Sequence, residues 1–432
     1  MANIVNENPR PQHKILMIAP QPFYEERGTP MNVRAMCETL GSAGIQIDLA
    51  CYPLGQELFL PNTKILRAGG WPGIKSVKIG PSWGKIALDL RLALACLRRC
   101  CFTRYDLIHG IEEGGIIAAV LGKIFRAPYV FDLDSNMTEQ LLASRFTNSR
   151  ILLKVIATLE KFALQSAAAV ITVCKALTDH ARTLTTSHIA QIEDFAPDSE
   201  VSDRKTLEQI SSEFEFQGKR ILLYTGNLAS YQGIDLLLSA WSAFIKNYPT
   251  SANSCLLVIV GGSSSDCTRY QDIAAGLDIP NSSLCFTGAR PQHQIQAFLD
   301  LSTAVVSPRI EGSNTPLKVY AYMASGKPLI ATRIYSHTQV LDESACYLVE
   351  TNPENFAVAI FNALGSLPEQ LNTNKDKVTR AQEIALLNYT RLAFDRKLIG
   401  LYAELLGDPE LSLETRATKI QNGAHTNQAA SV

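Results

Sequence analysis

The chemistry of this chain concentrates in Ser307 to Thr332, which reads SPRIEGSNTPLKVYAYMASGKPLIAT. An apolar run stops at Ser307-Pro308, and a loop of Gly312, Ser313, Asn314 and Thr315 leads into a stretch with helical periodicity. Small polar residues at a helix start leave backbone N–H groups free to face an anion, and the helix dipole favours negative charge there. Arg309 and Lys318 flank this point and can add cationic donors to a diphosphate. Glu311 can accept hydrogen bonds from sugar hydroxyls. Pro316 is expected in the first helical turn, and Tyr320 and Met323 are expected to pack the helix on a sheet.

Such a loop needs a strand before it and a helix after it. The chain supplies that grammar twice. Lys14–Ala19, Ile45–Cys51, Asp106–His109, Tyr129–Leu133 and Ala168–Val173 are short apolar runs that predict buried parallel strands, with helical stretches at Val33–Leu40 and Gly114–Phe125. The pattern restarts at Arg220–Tyr224 and continues through a helix at Ile234–Asn247 and strands at Leu256–Val260, Leu284–Thr287 and Thr303–Ser307. Trp241 and Phe244 are expected core residues of that helix. This alternation predicts an α/β chain of two Rossmann-like, doubly wound parallel-sheet domains facing a cleft, with ligands at the carboxyl ends of the strands. The expected division is a flexible start at 1–13, a first domain at 14–198, a linker at 199–213 and a second domain at 214–390. A helix at 391–407 is expected to return to the first domain, and 408–432 is expected to be a disordered tail.

Composition narrows the function classes. With 432 residues, the chain is too long for one core and suits two domains. A formal net charge of -1 gives no reason to expect a nucleic-acid partner. The ten cysteines show neither Cys-x-x-Cys pairs nor zinc spacing, which points to reduced, mostly buried thiols. No secretion-signal layout and no long apolar span are present, so a cytoplasmic protein is expected.

With those elements in place, Met323, Ala324, Gly326, Lys327 and Pro328 closely match the tail of a family signature. Tyr224-Thr225-Gly226 with Tyr231-Gln232-Gly233-Ile234-Asp235 stands where that family has its Gly-Arg…Lys-Gly loop, and Arg27-Gly28-Thr29-Pro30 stands at its first glycine-rich loop. Tyr105-Asp106-Leu107-Ile108-His109 fits its strand leading to a His-x-His pair. In this order, over roughly residues 14 to 400, the chain resembles the retaining, nucleotide-sugar-dependent glycosyltransferases of family 4, with the GT-B fold. The resemblance implies sugar transfer from a nucleotide-sugar donor to a glycan or lipid-linked acceptor, with retention of configuration. It makes the first domain the acceptor side and the second the nucleotide-sugar side. It implies a diphosphate held by Gly28, Thr29, Arg309, Gly312, Ser313, Asn314, Thr315 and Lys318. It places His109, Glu112 and Glu311 at the reacting sugar or acceptor, with the nucleotide sugar as co-substrate and no metal. Asp132 and Asp134 look like a metal-binding pair, but successive strand positions alternate faces, and only one can point at substrate.

The sequence also departs from that family. Its usual pair of glutamates two helical turns apart is incomplete: counting from Glu311 the partner is Val319, and counting back from Met323 the two fall on Ala321 and Ser313. The two basic diphosphate contacts become Asn227 and Gln232, which donate hydrogen bonds without charge. Ile111 replaces the second histidine of the His-x-His pair, and Asp134 stands where relatives often carry another. One reading is a divergent transferase whose phosphate contacts include Arg309, Lys318 and additionally Arg290 or His337. The alternatives are a degenerate nucleotide-sugar-binding subunit and a sugar-nucleotide epimerase of the same fold.

One segment suits a membrane surface. Trp71 to Trp83 mixes tryptophans with Lys75 and Lys78, and the following run to Arg104 carries Arg91, Arg98 and Arg99. Residues 71–104 therefore suit either an anionic lipid interface or a core helix whose arginines cap its end.

Overall fold

The computed structural model describes residues 13–25, 28–74, 77, 82–137, 141, 149–196 and 202–411. Arg27, Lys75, Lys78, nearly all of the expected flexible start and residues 412–432 of the expected tail lie outside the described residues. The chain divides into two compact units, one reaching to Glu193 and resuming at Phe394, the other Asp194–Ala393.

The first unit is built on strands β1 (Lys14–Ala19), β2 (Gln46–Cys51), β3 (Thr63–Arg67), β4 (Leu107–Ile111), β5 (Tyr129–Leu133), β6 (Ala169–Thr172) and β7 (His188–Gln191). They form one parallel sheet in the order β3-β2-β1-β4-β5-β6-β7. Strands β4, β5 and β6 are buried along their whole length, which is why they are written as unbroken apolar runs. Helices α1 (Gly28–Ser42), α2 (Trp83–Phe102), α3 (Gly114–Phe125), α4 (Arg150–Gln165) and α5 (Lys175–Leu184) follow the strands. Leu88, Leu92 and Cys96 of α2, Ala118 and Leu121 of α3 and Leu164 of α4 pack over Leu16, Ile18, Ile108, Phe131 and Val170. Helix α3 can sit so close because it opens with glycine: a Cβ on Gly115 would lie 2.2 Å from the Phe131 ring.

The second unit carries β8 (Arg220–Thr225), β9 (Cys255–Val260), β10 (Leu284–Gly288), β11 (Ala304–Ser307), β12 (Leu329–Thr332) and β13 (Tyr347–Val349). All are parallel, in the order β10-β9-β8-β11-β12-β13. Its helices are α6 (Arg204–Glu213), α7 (Ile234–Asn247), α8 (Pro249–Ala252), α9 (Ser264–Gly276), α10 (Gln292–Leu301), α11 (Leu317–Ala324), α12 (Tyr335–Thr338), α13 (Pro353–Ala363) and α14 (Pro368–Asn388). Trp241 and Phe244 of α7 join Phe356 and Ile360 of α13 on one side of the sheet. Tyr320, Tyr322 and Met323 of α11 join Phe298 of α10 on the other. A last helix, α15 (Arg391–Leu406), enters the first unit from Phe394 onward.

Four expectations need correction. The linker expected at 199–213 contains helix α6, started by Asp203, whose carboxylate accepts from Thr206 N at 3.0 Å, and anchored by buried Ile210. Its polar surface hid an apolar edge. Helix α1 begins at Gly28, a full turn before Val33. Pro316 stands outside α11 at its N-cap with extended backbone, and Leu317 opens the helix. The tail expected from 408 starts with a short 3-10 turn, Pro409–Leu411, whose Leu411 is buried.

Candidate functional site

Each sheet reverses its winding once, between β1 and β4 in the first unit and between β8 and β11 in the second. At such a switch the two following loops diverge and leave a crevice beyond the strand ends. In the second unit these loops are Gly226–Gly233 and Pro308–Pro316, so the residues singled out by the sequence meet there.

The loops are tied together through backbone. Ile310 N donates to Tyr231 O at 3.0 Å. Gly233, at φ 72, comes so near that a Cβ would lie 2.0 Å from Pro308 O. Only glycine allows this approach in that conformation. Arg309 then organises its own loop: Nε donates to Glu311 O at 2.6 Å, and Nη2 to Asn314 Oδ1 at 3.0 Å. Its guanidinium also stacks over Tyr231 at 5.2 Å. Arg309 is thus largely buried and shapes the loop that would meet an anion.

Lys318 supplies the less committed charge. It is partly buried on the first turn of α11, with Nζ donating to Gln232 Oε1 at 3.0 Å and lying 3.8 Å from the centre of the Tyr224 ring. Burial, helped by the nearby Arg309 charge, pushes this ammonium well below the ordinary lysine value. A half-buried cation with one neutral acceptor and one ring for company among the described residues is poorly compensated, and an incoming phosphate would reverse that. Beside it Thr315 is buried, and its Oγ1 has no hydrogen-bond partner among the described residues. The site therefore joins an undercompensated cation to an unused hydroxyl.

Other candidates in this unit fall into place around these. Glu311 is exposed, with its carbonyl engaged by Arg309. Asn227 is also exposed, and Gln232 is buried as the acceptor for Lys318. His337 does not serve as an additional cationic contact. It is fully buried, its Nδ1 donates to Thr332 O at 2.9 Å, and its Nε2 faces Ser307 Oγ at 2.9 Å. Burial first, with the Arg309 and Lys318 charges adding, lowers it to about 4, so it stays neutral. Thr332 in turn donates its hydroxyl to Arg309 O, and this chain fixes the start of the loop. Arg290 is held by Glu213 at 2.5 Å and stacks on Phe214, a structural commitment away from the 309–318 loop.

The first unit's switch has the opposite character. Glu112 and Glu113 follow β4, and Lys85 Nζ donates to Glu113 at 2.7 Å. Glu112 holds a left-handed backbone, φ 48, fixed by its N–H on Asp132 O at 2.9 Å. Burial, then the Glu113 charge, raises its carboxyl to about 7 against the opposing pull of Lys85 and Ser135. Asp89 on α2, accepting from the Tyr52 hydroxyl, is likewise raised to about 7, chiefly by burial. These carboxyls sit in the range where acid–base work is possible near neutrality. Gly28 and Thr29 open α1, the first exposed and the second half-buried.

His109 also requires correction. It does not stand at an open strand end; it is fully buried in β4, with Nδ1 2.6 Å from Tyr402 Oη and Nε2 3.3 Å from Asp132 Oδ2. Both nitrogens are used inside the protein, and the residue ties β4 to β5 and α15. Asp132 is buried there as well, with one carboxylate oxygen facing His109. Among the described residues no group of three or more His, Cys, Asp or Glu is placed to hold a metal ion. Sequence reading missed Lys85, Asp89 and Tyr402; Asp89 alone left a signal, as the single acid in the α2 run.

Two parallel-sheet α/β units of this order, one with a cationic loop at its switch, define a GT-B architecture. A family model described as "Glycosyl transferases group 1" matches residues 219–366, and one described as "Glycosyl transferase 4-like domain" matches 27–190. Together they take in well over half of the chain, and the protein belongs to the family 4-type glycosyltransferases. Among solved structures, a sucrose-phosphate synthase from Thermosynechococcus elongatus aligns with a TM-score of 0.71 at 17% identity, over 92% of this chain and 100% of that one. HepE from Anabaena, in complex with UDP and glucose, gives 0.68 at 15% identity, over 91% and 100%. WaaG, a glycosyltransferase involved in lipopolysaccharide biosynthesis, gives 0.65 at 12%, over 89% and 98%. At these identities the likeness shows the fold. No curated protein matches the sequence.

Proposed function

We propose that this glycosyltransferase takes its sugar from a nucleotide-sugar donor and passes it, with retention of configuration, to a glycan or lipid-linked acceptor at an anionic membrane surface. The observation that carries the donor half is Lys318 beside the unpartnered hydroxyl of Thr315 at the β8/β11 switch. A diphosphate bound there would restore charge to the lysine, take up the hydroxyl, and meet the N–H groups that open α11. HepE, bound to UDP and glucose, has the same fold and supports this choice of ligand class.

In the proposed reaction the acceptor hydroxyl attacks from the face the nucleotide leaves, and the departing phosphate takes its proton. The protein then needs no nucleophile of its own; it positions substrates and neutralises the leaving diphosphate. Lys318 carries that charge, Arg309 holds the loop in shape, and no metal is required. In this reading Glu311 accepts from donor-sugar hydroxyls and Glu112 from an acceptor hydroxyl. Asn227 and Gln232 leave the site with fewer charges than the family pattern, so affinity rests on Lys318 more than in its relatives.

Calorimetric titration with UDP-, GDP- and ADP-sugars, followed by an assay for their hydrolysis or transfer, tests this reading. Binding of one class, lost in Lys318→Met, is the expected result. Absence of binding across all three would overturn it, and binding without turnover would leave the degenerate-subunit alternative. An altered sugar produced without any acceptor would identify an epimerase.

A further inference from the structure

Helix α2 carries more apolar surface than its packing uses. Leu88, Leu92, Cys96 and Cys100 are buried toward the sheet, yet Trp83, Ile86, Leu90 and Leu94 form a second stripe on the outside. Trp83 is 76% exposed and Leu90 57%. The same surplus recurs on the two neighbouring helices. Helix α3 packs against α2 and against α4. It exposes Val120 and Ile124, while α4 exposes Ile151, Val155, Leu159 and Phe162 at helical spacing. Three adjacent helices thus present apolar rows outward from one face of one sheet. Contiguous exposure of this kind marks an interaction surface.

Charge on the same helices selects the partner. Among their described residues, every exposed charged side chain is a cation: Arg91 and Arg98 on α2, Lys123 on α3, Lys154 and Lys161 on α4. Their two acids are turned inward, Asp89 to Tyr52 and Glu160 buried. Yet the whole chain has 40 basic and 41 acidic residues, so this face is a local excess. The cations sit among the apolar rows: Lys123 lies 5.7 Å over Phe162, and Arg91 5.2 Å over Trp71. Exposed apolar residues on α14 provide the contrast, since Leu371, Leu386 and Leu387 share that helix with Glu369, Asp376 and Glu383 as well as with cations.

We infer that the α2–α3–α4 face lies on an anionic lipid bilayer, apolar rows entering the acyl boundary and cations meeting headgroup phosphates. An aliphatic row gains nothing against a nucleic-acid backbone. A second copy docked through the same face would set cations against cations. An anionic bilayer satisfies both features at once. No helix among the described residues is long and apolar enough to cross a membrane, so the contact is interfacial. The inference deepens the acceptor half of the proposed function by fixing which surface meets the lipid, and it stands independently of donor binding.

Flotation of the full chain with vesicles tests it. The protein is expected to float with phosphatidylcholine vesicles containing phosphatidylglycerol and to stay behind with phosphatidylcholine alone. Removing cations in the set R91Q, R98Q, K154Q and K161Q is expected to weaken binding roughly fivefold per charge. The set I86Q, L90Q and L94Q should abolish flotation with nucleotide-sugar titration unchanged, which separates loss of the face from loss of folding. The pair L386Q and L387Q should float as wild type. Failure of the wild type to float with anionic vesicles overturns the inference. So does a wild-type dimer that I86Q, L90Q and L94Q convert to monomer without any vesicle binding.

Discussion

At the β8/β11 switch the loop groups are cationic and hydroxylic, whereas at the β1/β4 switch they are carboxylates. Both crevices arise from the same reversal in strand order. Topology therefore decides where a ligand can bind, and a few loop residues decide its charge. In the second unit a glycine contact brings two loops together around Lys318. In the first unit a strained Glu112 and its neighbour Glu113 follow the strand, with Lys85 compensating only part of their charge. On the proposed reading, one crevice would take something negative and the other something that donates hydrogen bonds.

The largest expected effect comes from erasing the positive half of this contrast. Lys318→Met leaves a bound diphosphate without its cation, and losing one partner of a desolvated charge pair costs about 2–5 kcal/mol of affinity. Calorimetry should show that loss, while Glu112→Gln leaves diphosphate affinity unchanged. Stability should move the other way. Lys318 is depressed in the folded chain, so the unfolded chain binds more protons as pH approaches the ordinary lysine value of 10.5. Wild-type stability therefore rises with pH through that window, and Lys318→Met should flatten the rise in denaturant titrations.

Next in size is the acid flank of the second unit. His337 titrates near 6.5 unfolded and about 4 folded, so the unfolded state holds more protons between those values. Stability is complete above pH 6.5 and is lost as pH falls toward 4, by up to about 3 kcal/mol. His337→Gln should remove much of this acid dependence, because a buried amide cannot charge. An unchanged acid flank in urea melts would show that His337 is not the responsible group.

The first unit predicts the opposite slope. Glu112 rises from 4.5 to about 7 on folding, so the folded chain holds the extra proton between those values. Stability falls as pH climbs through that window, and Glu112→Gln should be about 1–2 kcal/mol more stable than wild type at pH 8. Below pH 4.5 the two should converge. Parallel slopes for Glu112→Gln and His337→Gln would break the comparison between the crevices.

How much of this could be read from residues alone follows the range of the interactions. The sheets were legible because buried parallel strands must be apolar, and Lys14–Ala19 and Leu256–Val260 announce themselves. Helix α6 was not, because Asp203, Arg204 and Lys205 give it a linker's polarity while Ile210 alone is buried in it. Lys318 and Thr315 were legible as a loop entering a helix. His109 was misplaced because its partner Tyr402 lies on the last helix, and no local pattern signals that distant contact. The same limit hid Lys85, which reaches Glu113 at the β1/β4 switch from α2, while Asp89 stood out only as the single acid of that run.

The smallest expected effect is the most direct test that Thr315 takes part in the proposed diphosphate contact. Thr315 is buried, and its hydroxyl has no hydrogen-bond partner among the described residues, a placement expected to cost the free protein stability. Thr315→Val keeps the shape and removes the oxygen, so the free protein should gain roughly 0.5–1 kcal/mol in denaturant melts. If that hydroxyl donates a hydrogen bond to a diphosphate, affinity should fall by a similar amount, about two- to fivefold. Stability and affinity must therefore move in opposite directions. A gain in stability with unchanged affinity would mean that the hydroxyl is idle and that Lys318 works with the backbone alone.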